Sequence, residues 1–154
     1  MKQSKQFSDA IHIMTYIALT DDPKQLKSEK IAESVKTNAS NIRRIMGNLR
    51  KAGLLCNQQG DSKNRLSRQS KDITLLDIYK SLPGDNPLLQ IDNDTNLNCI
   101  VGGNIQNVLA EKYAFLQLHF EKELDQLTLA DIITDLLSKA RAKGESLEDI
   151  KALL

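Results

Sequence analysis

Apolar residues recur at helical spacing in the first part of the chain and predict three helices joined by short turns. The first helix spans residues 7–19 and ends before Pro23, because proline cannot continue a helix and disfavours helical geometry in the preceding residue. The second is short and begins at Ser28, a residue type favoured at N-caps. The third is capped by Asn38 and closed by Gly53, which can adopt the left-handed conformation. The apolar positions that carry this pattern are Phe7, Ala10, Ile11, Met14, Ile17, Ile31, Ala32, Val35, Ile42, Ile45, Met46 and Leu49.

The segment after the third helix predicts a β-hairpin. Residues 54–58 favour a strand, residues 60–64 a turn, and residues 65–68 a returning strand. A capping-box pattern at residues 74–77 then opens a helix that runs to about Leu82. Two short helices, a tight turn and a hairpin are the pattern of a winged helix-turn-helix, so we expect a mainly α fold with a small β-hairpin wing.

The second half of the chain predicts a linker and a long helix. Residues 83–98 are rich in Pro, Gly, Asn and Asp, which favour turns and loops. Residues 101–127 carry two apolar stripes, and because only one can pack on the chain's own domain, a second copy of the helix is expected against the other. A further helix starts at Thr128. The predicted organisation is a winged helix-turn-helix DNA-binding domain at 1–82, a linker at 83–98, dimerisation helices at 99–138, and a tail at 139–154 that is either a short helix or frayed. One stripe, predicted to serve dimerisation, contains Ile105, Leu109, Tyr113, Leu116 and Phe120; the other contains Val101, Val108, Phe115 and Leu118.

Charge divides the chain into a basic and an acidic half. The net charge is +1, but residues 1–71 contain 14 Lys/Arg against 6 Asp/Glu, which gives +8, and residues 72–154 carry −7. A basic half suits a part that neutralises nucleic-acid phosphates, although a chance distribution of solvated charge is the alternative. Hydrophobic residues at 40% and charged residues at 27% indicate a globular chain. We find no membrane span and no secretory signal in the first eight residues, so a cytoplasmic location with reduced cysteines is expected.

Polar residues of the third helix and of the hairpin are the candidate DNA contacts. Arginine can bind guanine edges bidentately and asparagine can bind adenine, while serine and lysine suit phosphates. An ordinary solvated helical hairpin remains the alternative explanation. No phosphate-binding glycine loop, clustered metal spacing or nucleophile motif is present, so the chain is not expected to be an enzyme. The predicted DNA-binding residues are Lys27, Ser28, Asn38, Ser40, Asn41, Arg43, Arg44, Asn48, Lys63, Arg65 and Arg68.

Four blocks of this sequence resemble the Rrf2 family of bacterial transcription regulators. They are FSDAIHIMTYIAL, TNASNIRRIMGNLRKAGLL, DITLLDIYKSL and NCIVGGNIQNVL, and the resemblance covers roughly residues 5–137. It implies a winged-helix homodimer joined through the long helix, which binds a pseudo-palindromic double-stranded operator, usually as a repressor. This chain departs from the family in its wing, where DSKNRLSR replaces a glycine-rich motif but keeps Arg65 and Arg68. It also has Ala39 where a proline is common and Gly103 where an arginine is often seen.

The two cysteines limit the chemistry that the resemblance implies. Some family members hold an iron–sulfur cluster with three cysteines before the long helix, but only Cys99 lies there, so no cofactor is expected. Cys99 precedes the predicted helix, whose N-terminal N–H groups favour a thiolate, so it is either a redox-sensing residue or a small apolar residue that fills space. Cys56 is expected in the core. His12 and His119 are expected to be ordinary packing or surface residues.

Three functions are consistent with the sequence. The leading hypothesis is a repressor whose operator binding is modulated by thiol or redox chemistry at Cys99. A second is a repressor controlled by a partner protein or a small metabolite, without cysteine chemistry. The third, a winged helix that serves only as a protein-interaction module, does not account for the +8 charge of the first half.

Overall fold

The computed structural model describes residues 2–57, 64–84, 87–146 and 148. It is mainly helical, with one two-stranded antiparallel hairpin. This architecture confirms the predicted fold class. In chain order the elements are α1 (Lys2–Leu19), α2 (Ser28–Val35), α3 (Ala39–Lys51), β1 (Leu55–Asn57), β2 (Asn64–Leu66), a single 3₁₀ turn (Ser70–Asp72), α4 (Leu75–Lys80), α5 (Ile105–Gln126) and α6 (Leu129–Ala142).

Helices α1, α2 and α3 form the centre of the fold, and their boundaries follow from local chemistry. Helix α1 ends at Leu19 as predicted but begins at Lys2, five residues before the predicted start. Ser28 is the first residue of α2 and not its N-cap, which is Lys27 with no side-chain capping bond. Asn38 caps α3 as predicted, because its side-chain oxygen accepts a 2.8 Å hydrogen bond from the Asn41 amide.

The end of α3 confirms the predicted role of glycine. Gly53 has φ +72°, a value at which a side chain would strain the backbone. Its amide donates to the Arg50 carbonyl and the Leu54 amide donates to the Leu49 carbonyl, which together form a Schellman motif. This reversal turns the chain directly from α3 into β1.

The hairpin is the predicted wing. Strands β1 and β2 pair antiparallel with Leu55 opposite Leu66 and Asn57 opposite Asn64. Leu55 faces the core and is buried, whereas Cys56 is exposed. The expectation that Cys56 lies in the core is therefore wrong, because successive side chains of a strand point to opposite faces. Of the predicted turn at residues 60–64, residues 60–63 lie outside the described residues.

Helices α4 and α6 both contact α1. Capping boxes begin both α4, at Thr74 with Asp77, and α6, at Thr128 with Asp131. A β-bridge joins Thr74 to Thr128, and the Leu129 amide donates to the Ile73 carbonyl at 2.9 Å. The hydrophobic core is therefore continuous from α1 to α6, and the division at residues 82–83 stays a prediction about function. The large, fully buried side chains of this core are Ile13, Met14, Ile31, Ile42, Ile45, Met46, Leu49, Ile73, Ile78 and Leu129.

The long helix α5 follows a stretch that contains no helix or strand among its described residues. It begins at Ile105, and not at Val101 as predicted, because residues 97–104 form consecutive turns. A side chain at Gly102 would collide with the Asn96 carbonyl, and one at Gly103 would lie 2.9 Å from the Leu97 carbonyl oxygen. The two glycines thus permit close backbone packing just before α5.

Candidate nucleic-acid interface

Helix α3 buries one face and exposes the other. Ile42, Ile45, Met46 and Leu49 are buried in the core as the spacing predicts. On the opposite face, Arg43 and Arg44 are exposed, as are Asn38 and Ser40 near the start of the helix, while Asn41 and Asn48 are half-buried. The tight turn before α3 depends on Lys36, which adopts a left-handed conformation with φ 58°. The arrangement presents the N-terminal half of α3 outward, which is how a recognition helix enters a major groove.

The two arginines of α3 are held by different acceptors. Arg43 Nη1 lies 3.0 Å from Glu29 Oε1 on α2. Arg44 Nη2 donates a 2.7 Å hydrogen bond to the Asn41 side-chain oxygen, and the Asn41 amide nitrogen donates in turn to the Thr37 hydroxyl at 3.2 Å. Both side chains are thus oriented before any ligand is bound. The sequence prediction named the arginines but missed Glu29, which is 14 residues from Arg43 and has no local signal.

Asn64 holds the wing beside α3. Its side-chain nitrogen donates to the Leu26 carbonyl at 3.1 Å, and its oxygen accepts from the Arg50 guanidinium. The Ser67 hydroxyl also bonds the Gly53 carbonyl at the base of the hairpin. The sequence prediction missed Asn64, and these bonds keep α3 and the hairpin in a fixed relation.

The predicted basic residues around α3 and the wing have different surroundings. Lys27 and Arg65 are exposed and Ser28 is half-buried. Arg68 is already engaged: its guanidinium donates to Asp77 Oδ2 at 2.8 Å and to the Asp72 carbonyl at 2.7 Å. Lys63 lies outside the described residues. The bonds of Asn64 place β2 near α3 and the segment before α2, whereas Arg68 is tied to the start of α4.

The two apolar stripes predicted along α5 differ in their exposure to solvent. In the stripe predicted to serve dimerisation, Phe120 packs inside its own chain, with its ring centroid 5.5 Å from that of Tyr79. Ile105, Leu109 and Tyr113 are half-buried, and Leu116 is exposed. The other stripe is open: Val108, Phe115 and Leu118 on α5 are 49%, 60% and 53% exposed, and Val101 in the turn before α5 is 64% exposed.

The Cys99 thiol lies in the turn before α5 and is exposed. Hydrogen bonds from the backbone amides of Gly102 and Val101 lower the pKa of this thiol. The predicted electrostatic effect is present, but its source is this turn and not the terminus of α5, which begins six residues later. Tightly spaced backbone N–H groups of this kind stabilise a thiolate.

The histidines have ordinary surroundings. His12 Nε2 lies 2.9 Å from the Ser34 hydroxyl, and burial lowers the pKa of His12. His119 lies on the exposed side of α5, where its Nδ1 is 3.0 Å from the Phe115 carbonyl oxygen. None of the helices in the described ranges combines the length and apolar character needed to cross a membrane.

Comparison with known proteins identifies similar chains. The family model described as "Rrf2: Iron-dependent Transcriptional regulator" matches residues 3–135. YwnA of Bacillus subtilis (strain 168), named as a candidate HTH-type transcriptional regulator, is 34% identical over 127 residues, which cover 82% of this chain and 93% of YwnA. A crystal structure of a candidate DNA-binding protein is 31% identical, covers 83% of this chain and 98% of its own, and has a TM-score of 0.66. CymR, the global cysteine regulator of B. subtilis, shares the fold at 18% identity with a TM-score of 0.58, over 85% of this chain and 94% of its own.

The residues that the structure describes do not fit the iron that the matched family description mentions. The sequence has two cysteines, one in β1 and one before α5. Across the described ranges, no three His, Cys, Asp or Glu side chains group in a way that could hold a metal ion. A three-cysteine cluster of the kind found in some members therefore has no matching ligand set here, and the expectation of no cofactor stays a prediction.

Proposed function

Because this chain belongs to the Rrf2 family of transcriptional regulators, we propose that it is a homodimeric repressor that binds a pseudo-palindromic operator. The outward presentation of the N-terminal half of α3, with Arg43 and Arg44 exposed above a fully buried apolar face, carries this proposal. Each protomer places one α3 in a major groove, and the twofold symmetry of the dimer is matched by the symmetry of the operator.

The proposed contacts divide into base readers and phosphate binders. Arg43, Arg44, Asn41 and Asn48 have the donors and acceptors that read base edges in the major groove. Phosphates are assigned to residues at the margins of α3 and on the wing, where Arg68 exchanges its bond to Asp77 for a phosphate oxygen. The proposed phosphate-binding residues are Lys27, Ser28, Asn38, Ser40, Lys63, Arg65 and Arg68.

The dimer is proposed to form through α5. The open stripe of Val101, Val108, Phe115 and Leu118 is the centre of the interface, because these side chains are about half exposed or more in the single chain. Leu116, Ile105, Leu109 and Tyr113 form its margin. Residues 1–82 then bind DNA, residues 83–98 link, and residues 99–138 join the protomers.

A salt titration tests the DNA-binding part of this proposal. Affinity for a duplex should fall steeply as salt rises, with a logarithmic slope of about −0.9 for each phosphate neutralised. Arg65→Ala should reduce this slope by about one unit, whereas a base-reading variant should leave it nearly unchanged. A flat titration would favour a protein-interaction module. Repression is tested separately by a reporter gene placed behind an operator selected from genomic fragments. Transcription of this gene should rise when Arg43 and Arg44 are both replaced by Ala.

We further propose that operator binding is modulated by oxidation of Cys99. Its exposure and its lowered pKa support this, since the thiolate is the species that reacts with oxidants. Hydrogen peroxide oxidises the thiolate to a sulfenic acid and is itself reduced to water, and a second thiol then displaces water from the sulfenic acid to form a disulfide. Movement of the turn before α5 would change the separation of the two α3 helices.

Oxidant treatment of parent and Cys99→Ser protein tests this control. Operator binding should be lost in the parent and in Cys56→Ser protein but not in Cys99→Ser protein, and it should return with a reductant. An equal response of the parent and the Cys99→Ser protein would exclude control through Cys99. In that case control by a partner protein or a small metabolite is the alternative.

A further inference from the structure

Glu29 connects the first turn of α2 to the exposed face of α3. Its Oε1 accepts the 3.0 Å hydrogen bond from Arg43 Nη1, and the Glu29 and Arg43 side chains are 63% and 60% exposed. Among the described residues, this is the ion pair that joins the two helices of the helix-turn-helix. Such an exposed pair contributes little to folding, because solvent screens the charges. Its position beside the recognition face needs another explanation.

A carboxylate at this position is unfavourable for binding any duplex. It lies beside α3, where phosphates approach, and like charges repel. A hydrogen bond from its own backbone amide, and then the bond from Arg43, lower the pKa of the Glu29 carboxyl and so favour its charged form. A carboxylate that weakens the attraction of this surface for every duplex is consistent with a role in selectivity between DNA sequences.

The guanidinium group of arginine allows such a role. It has five N–H donors in a rigid plane, so one edge can be held by a carboxylate while another binds guanine O6 and N7. Fixing the plane from α2 restricts the bases that Arg43 can reach. Arg44 differs, because its acceptor is the neutral side chain of Asn41 on the same helix.

We propose that Glu29 is a positioning residue that holds the Arg43 guanidinium in the plane required by one base pair and thereby sets selectivity at that position. This inference rests on the proposed binding of DNA by α3. It adds a residue outside α3 that contacts no base and acts through Arg43.

The test compares alanine variants of two glutamates on α2. Glu29→Ala removes the acceptor of Arg43, and Glu33→Ala is the matched control, because Glu33 is exposed on the same helix and pairs with Lys30 at 2.9 Å. Glu29→Asp keeps the charge but shortens the reach by one methylene. Thermal unfolding of each variant checks that the fold is intact, as expected for exposed side chains.

The readout is the base preference at the position read by Arg43. Affinities are measured for duplexes that differ by single base pairs. The position read by Arg43 is the one at which Arg43→Ala abolishes the preference for one base pair over the others. A good bidentate contact discriminates by roughly 5- to 150-fold, and we expect Glu29→Ala to reduce this ratio about fivefold or more. Glu29→Asp should reduce it similarly, while Glu33→Ala and the preference at the position of Arg44 should not change. In the Arg43→Ala background, Glu29→Ala should have no further effect on the ratio.

Two results would overturn the inference while leaving the proposed function intact. If Glu29→Ala only raises affinity for every duplex, as Glu33→Ala does, Glu29 acts by repulsion alone. If Glu29→Ala alters base preference equally with and without Arg43, Glu29 reads a base itself. Failure of the parent protein to select any duplex would instead contradict the proposed function.

Discussion

Replacing Phe115 with alanine should separate the protomers without unfolding them. Phe115 is 60% exposed on α5 and lies outside the hydrophobic core. Complete burial of such a side chain stabilises by about 1.5–3 kcal/mol, so burial of its exposed part contributes about 1–2 kcal/mol. A twofold interface contains the residue twice, so the dimer should lose about 2–4 kcal/mol, which corresponds to a dissociation constant roughly 30- to 700-fold higher.

Sedimentation equilibrium measures this change directly. Leu89→Ala is the matched control, because it removes an exposed leucine (39%) from the proposed linker and leaves the open stripe of α5 intact. The parent and the control should remain dimers at concentrations where Phe115→Ala is monomeric, and far-ultraviolet circular dichroism should be the same for all three. If Phe115→Ala dimerises as tightly as the parent, the open stripe is not the interface.

Three further changes have defined outcomes. Thr74→Ala and Thr128→Ala each remove a capping box and should lower the free energy of unfolding by about 1 kcal/mol in denaturant titrations, whereas no loss would show that the caps are dispensable. Burial lowers the pKa of His12, so His12 binds a proton more readily in the unfolded chain than in the folded one, and the free energy of unfolding should fall as pH drops below about 6.5. His12→Gln should lessen this loss, and a pH profile that the substitution leaves unchanged would contradict the prediction. In Cys56→Ser protein, the lowered pKa of Cys99 should shift the pH profile of Cys99 alkylation to lower pH than that of glutathione, a free thiol. Equal profiles would contradict stabilisation of the thiolate by the backbone amides of the turn.

Local features of this fold could be predicted from the sequence. The cap at Asn38, the left-handed Gly53 and the box at Thr74 each depend on bonds that span five residues or fewer. The same is true of the apolar face of α3, which follows from periodicity alone. The family resemblance added the order of elements and the function, and the comparisons confirm the family.

Interactions between distant segments could not be predicted. The pairs Glu29–Arg43 and Arg50–Asn64 each join residues 14 positions apart, and the bridge between Thr74 and Thr128 joins residues 54 positions apart. No periodicity reports such contacts, because they depend on how helices are placed in space. The start of α5 was missed for a related reason: Val101 fits the helical stripe, but the backbone packing at the two glycines keeps residues 97–104 in turns.

The exposure of Cys56 was within reach of the sequence. Leu54 and Leu55 both face the core, at the point where the chain leaves α3 and enters the hairpin. Strand alternation from Leu55 onward places Cys56 outward, and a core assignment gave its apolar character too much weight.

Footprinting on operators selected from genomic fragments tests the central claim most directly. A dimer that presents two α3 helices should protect two inverted half-sites whose centres lie about one helical turn, or a whole number of turns, apart on the duplex. Arg43→Ala should weaken protection of both half-sites equally. Protection of a single asymmetric site, or a footprint that Arg43→Ala and Arg44→Ala leave unchanged, would contradict the account.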